Sequence, residues 1–212
     1  RWDESVRGNL QAFHSDQAAA YGEGFAIYPS HNLHMLLFAA SMGGQGAVAI
    51  QAGRDYAAAT GGAEYYEVLT KLRFGRFDEI LSVEDRPSGE VDGGFWDFAQ
   101  GYAHLRIGDT AVAEEYLAKV KDLAEHSDAT LRYHEASQLM GLAGSILEGE
   151  VLRGSGDLQG AIAAFREAVA VDDQQQYDEP EPIPFAARHW LGAALMEAGR
   201  YAEAEEEYRT GL

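Results

Sequence analysis

The chain has 212 residues, 46% of them hydrophobic, and no cysteine, so it can bury a core without disulfides and has no thiol chemistry to offer. Its 35 acidic and 16 basic residues leave a formal charge of −19, which repels nucleic acid and anionic lipid. Such a charge either favours a basic or apolar partner or simply keeps the chain in solution. No run of about 18 apolar residues occurs, so no membrane insertion is expected. The polar opening RWDESVRGNLQAFHSDQAAA lacks the apolar centre of a signal peptide, and the expectation is a cytoplasmic protein.

The elements follow from a ruler of glycines, each followed by a polar or charged residue: Gly44-Gln45, Gly75-Arg76, Gly108-Asp109, Gly156-Asp157 and Gly199-Arg200. The intervals are 31, 33, 48 and 43 residues, and periods near 34 mark arrays of helix-turn-helix units. RWDES at the start reads as the same punctuation with its glycine cut away, opening a leading half-repeat. His14 and Glu23 fall in the connection that follows, and Pro29-Ser30 starts the helix that runs to Gly44. The two units around Gly44 and Gly75 come next. FWDFAQGYAHLRIGD then runs into TAVAEEYLAKVKDLAEH, and SILEGEVLRGSGD into LQGAIAAFREAVAVDD. Asp109 and Asp157 stand where an N-cap satisfies the free amides of the second helix. Extended helices or connections are expected at residues 125 to 140 and 172 to 184. In the last unit Trp190, Leu191, Ala194, Leu195 and Ala198 keep the helical i, i+3, i+4, i+7 rule, as do Tyr201, Ala204 and Tyr208. No stretch alternates with period two, so no sheet is expected. An absent initiating Met and a final Gly-Leu inside a helical pattern point to a fragment of a longer chain.

Against each turn glycine, small and large residues recur at fixed offsets. The last unit supplies Leu191, Gly192, Ala204 and Tyr208. The one before it supplies Gly149, Ala161, Phe165 and Ala168, and a third supplies Gly101, Ala113 and Leu117. Leu37 and Ala49 hold the slots around Gly44, whereas Val68 and Ile80 replace the small residues around Gly75. This pattern resembles the tetratricopeptide repeat family, and the stretch YPSHNLHMLLFAASMGGQ is similar to a segment of uncharacterised bacterial members of it. The resemblance implies an all-α, right-handed superhelical solenoid of antiparallel helix hairpins. About five hairpins and the leading half-repeat would span residues 1–212 as a single array. It also implies protein or peptide recognition, as by a scaffold or adaptor, along a concave groove lined by the first helix of each pair.

Equivalent positions of those first helices collect His34, Phe38, Tyr65, Phe98, Tyr102 and His189, an aromatic, histidine-bearing groove in which Arg73 and Arg106 are the basic candidates. The lysine, arginine and asparagine set with which family members clamp a terminal carboxylate is missing. The alternative is a metal- or small-ligand module. His31 and His34, three apart on one helix face, would join His14 and Glu23 around a divalent zinc, copper or nickel ion; equally, the pair can cap or pack at a helix start. A metal-dependent hydrolase on the same histidines is the remaining reading. No nucleophile elbow, HExxH or phosphate-binding loop is present, so no enzyme and no catalytic residue are expected. The segment Tyr177–Pro184, rich in proline and acid, is read as a rigid extended connection or as a lid over the groove.

Overall fold

The computed structural model describes residues 2–20 and 29–211. Eleven helices are found among the described residues, in two compact units. The first unit comprises Arg1–Arg76 together with Asp178–Pro184, and the second Phe77–Tyr177 together with Phe185–Leu212. The first holds α1 (Trp2–Ala20), α2 (Pro29–Met42), α3 (Gly46–Thr60) and α4 (Tyr65–Arg73), each packed on the one before it. The second holds α5 (Phe77–Leu81), α6 (Glu90–Arg106), α7 (Thr110–His126), α8 (Ala136–Gly154), α9 (Leu158–Asp172), α10 (Arg188–Glu197) and α11 (Tyr201–Thr210). Here too successive helices pack together, and α6 also packs on α8. No helix among the described residues is long and apolar enough to cross a membrane.

All five ruler glycines have positive φ, between 67° and 90°. In each turn the amide of the next residue donates to the carbonyl five residues back: Gln45 to Ala40, Arg76 to Lys71, Asp109 to His104, Asp157 to Leu152 and Arg200 to Leu195, at 2.8 to 2.9 Å. This is the Schellman ending, which satisfies carbonyls that a helix terminus leaves open and needs a residue that tolerates left-handed backbone. The next helix starts directly after it. Asp157 caps α9 by accepting from the Gly160 amide at 2.9 Å. Asp109 makes no such bond, contrary to expectation; its carboxylate stands 3.5 Å from His104 Nδ1 instead.

Where two helices of a hairpin meet, glycine makes room for an aromatic ring. A Cβ on Gly149 would lie 2.4 Å from Phe165, and one on Gly192 would lie 2.5 Å from Tyr208. Ala113, Ala161 and Ala204 on the second helices are completely buried. The helices of a pair are not equivalent: α6 and α8 are buried along most of their length, whereas α7 buries only Ala113 and Val120.

The longer intervals contain connections as well as long helices. Residues 127–135 carry a small antiparallel pair, β1 (Thr130–Leu131) with β2 (His134–Glu135), which the search for period-two alternation misses because each strand is two residues long. Its turn holds Arg132 at φ 55°. Beyond α9, the backbone amide of Ala187 donates to Asp172 Oδ2 at 3.0 Å, fixing the entry to α10. The division between units falls at Arg76, in the turn that follows Gly75.

Candidate functional site

In the second unit the predicted groove residues Phe98 and Tyr102 lie one turn apart on α6. Phe98 is completely buried and Tyr102 nearly so. Phe185, just ahead of α10, packs its ring 6.4 Å from Phe98 and 5.1 Å from Trp190, and Phe77 stacks 6.3 Å from Tyr102. The Tyr102 hydroxyl accepts from Trp190 Nε1 at 3.1 Å and from Arg106 Nη2 at 2.7 Å. Burial, reinforced by the nearby Glu150 carboxylate, pushes the phenol pKa up, so Tyr102 stays neutral as an acceptor.

Arg106 lies over the Tyr102 ring and donates to the buried Glu150 Oε2 at 2.5 Å. The other Glu150 oxygen accepts from Arg153 Nη1 at 3.2 Å, and Arg153 Nε donates to Glu197 at 2.6 Å. These groups line a cleft of about 400 Å³ with Leu105 and Thr110. Two guanidiniums and two carboxylates already neutralise one another there, so the cleft offers an anion or a cation no uncompensated charge.

In the first unit His34 is buried, its ring 4.5 Å from Tyr66 and 4.8 Å from Tyr56; Tyr65 is buried beside Tyr66. Phe38 is half-buried, edge-on to Trp2 at 6.1 Å. Arg73, at the end of α4, spreads its guanidinium between two carbonyls, with Nε donating to Ser41 O at 3.2 Å and Nη1 to Pro184 O at 2.9 Å; Nη2 meets Met42 Sδ at 3.6 Å. Burial lowers its pKa from the ordinary arginine value. The segment that contributes Pro184 is bent at Glu179, Pro180 and residues 182–185, which corrects the expected extended connection; Glu179 and Glu181 are exposed, while Pro180, Pro182, Ile183 and Pro184 are buried.

These positions correct the sequence-based groove. His34, Tyr65, Phe98 and Tyr102 pack in the core, because the first helices are enclosed by their neighbours and cannot present such side chains to an incoming partner. Arg73 and Arg106 are engaged within the chain. His189, in the first turn of α10, and Arg106 are the exposed members of the predicted set.

The histidine cluster is not assembled either. His31 is exposed while His34 is buried, and His14 lies on α1, not in a connection, with its ring 3.4 Å from Gln17 Oε1. No group of three or more metal-ligating side chains comes together among the described residues, and Glu23 lies outside them. Sequence reasoning counted Glu150 among the equivalent positions of the first helices without giving it a role, and passed over Arg153 and Phe185. The signal available for the first two was a Glu and an Arg three apart on a helix that is otherwise apolar on that face.

Comparison with family models, curated proteins and solved structures found no match for this chain.

Proposed function

We propose that this chain is a tetratricopeptide-like solenoid of helix hairpins that works as a scaffold, holding an extended polypeptide segment rather than catalysing a reaction. The repeat reading is supported by five turns of one backbone design and by glycine against aromatic at the Gly149 and Gly192 crossings. The observation that carries the binding reading is the segment 178–184. It is held with prolines inward, glutamates outward and a carbonyl gripped by Arg73. Proline suits that environment because it brings no N–H to be satisfied on burial, and its fixed φ lowers the entropy lost on ordering.

The test is a titration of the isotopically labelled chain with proline-spaced peptides, raised to millimolar concentration and followed by amide chemical shifts. Saturable shifts near Met42 and Arg73, absent with alanine-substituted peptides, are the expected result. No saturable shift with any peptide contradicts the reading.

A further inference from the structure

We infer that the cleft at the ends of α6, α8 and α10 is a binding site for a small zwitterion of the α-amino acid type. It is made wholly of second-unit residues and does not depend on the scaffold reading, which concerns Arg73 and residues 178–184.

Three helices finish at this cleft: Arg106 closes α6, Arg153 lies one residue from the end of α8, and Glu197 closes α10. With Leu105 and Thr110 they line a volume of about 400 Å³. The hydrogen-bonding groups left unused there decide what can enter. Arg106 uses Nη2 on Tyr102 and Glu150, at 2.7 and 2.5 Å, and Arg153 uses Nη1 on Glu150 and Nε on Glu197, at 3.2 and 2.6 Å. Arg106 Nε and Nη1 and Arg153 Nη2 donate to no group among the described residues, and Glu197 Oε1 and the Thr110 hydroxyl are likewise unengaged there. Glu150 is fully engaged, with its side chain 2% exposed and an arginine on each oxygen. The cleft therefore presents two guanidiniums with unused donors beside one carboxylate with an unused acceptor.

A lone ion of either sign is opposed by half of this arrangement. An anion on the guanidiniums meets Glu197 and the negative ends of three helix dipoles, in a chain of charge −19. A cation on Glu197 meets the two arginines. A zwitterion answers both, its carboxylate accepting from the unused guanidinium N–H groups and its ammonium donating to Glu197 Oε1. Arg153 Nε and Glu197 Oε2 are only 2.6 Å apart, so a ligand that bridges the pair must carry its opposite charges close together, as an α-amino acid does across a single carbon. Leu105 supplies an apolar wall for an aliphatic side chain; a Cβ on Gly154 would already reach its Cδ1 at 3.7 Å, so glycine there leaves that wall clear. Both guanidiniums are set before a ligand arrives. Arg106 lies 4.9 Å over the Tyr102 ring, and Arg153 is held between two carboxylates. Little rotamer freedom remains to be lost on binding, which a small ligand with few contacts requires.

The experiment titrates the intact, isotopically labelled chain with leucine, and separately with N-acetylleucine, which lacks the ammonium, and leucinamide, which lacks the carboxylate. Binding is read from the Nε–H resonances of Arg106 and Arg153, assigned with Arg106→Lys and Arg153→Lys. Expected are saturable shifts of both resonances with leucine at millimolar concentration, and affinity lower by about tenfold or more for each blocked analogue, the effect of losing one charge-assisted contact. Glu197→Gln, which keeps an acceptor for Arg153 but removes the charge, is expected to weaken leucine by a similar factor. Equal binding of leucine and either analogue overturns the site, as does leucine binding indifferent to Glu197→Gln or the absence of any saturable shift. Should Glu197→Gln alter the melting temperature, the comparison of leucine with its analogues, made on the unaltered chain, decides alone.

Discussion

At the scale of residues, burial decides which aromatic side chains support the fold. Phe98→Ala is expected to cost about 3 to 5 kcal/mol, the range for emptying a fully buried phenylalanine site, measured by chemical denaturation. A loss below 1 kcal/mol would return Phe98 to an open surface. Glu150 holds two arginines from an almost fully buried position, so Glu150→Ala leaves Arg106 and Arg153 without their shared carboxylate. It is expected to lower the melting temperature more than Glu197→Ala, which removes a half-exposed carboxylate from Arg153. Asp172 supplies a pH dependence. Burial raises its pKa above the ordinary 3.8, against the opposing hydrogen bond from Ala187. Below 3.8 both folded and unfolded states are protonated and burial costs nothing. Above the raised folded value the cost is fully present, so the native state loses stability from this group as pH rises. Asp172→Asn keeps an acceptor for Ala187, and the variant is expected to gain on the wild type in melting temperature between pH 3.8 and neutrality. A constant difference across that window would assign the effect to something other than titration.

At the scale of elements, the turns were legible in the sequence and the exposure of the faces was not. A positive φ at Gly44, Gly75, Gly108, Gly156 and Gly199 is a local requirement, met within five or six residues, so spacing alone revealed it. The small-residue slots were legible for the same reason, since Gly149 and Phe165 meet within one hairpin. Burial of Tyr65 or Phe98 depends on which other helices come alongside, information that no helical period carries. Nor does periodicity distinguish Asp157, which caps its helix, from Asp109, which does not. That difference is testable: Asp157→Ala is expected to cost about 1 kcal/mol and Asp109→Ala a few tenths at most, compared by urea denaturation. Equal losses would mean that both aspartates cap in solution. Residues 178–184 lay between the two kinds of signal: their prolines marked an irregular connection, whereas its bends and the burial of those prolines emerge only in the fold.

At the scale of the whole molecule, the chain forms two compact units, with residues 178–184 belonging to the first although their neighbours in sequence belong to the second. The measurement that tests the proposed scaffold reading most directly is photocrosslinking from a benzoylphenylalanine placed at Met42, whose sulfur touches Arg73. A proline-spaced peptide added at rising concentration is expected to take up the crosslink saturably, as mapped by mass spectrometry, and a peptide never labelled at millimolar concentration would contradict the account.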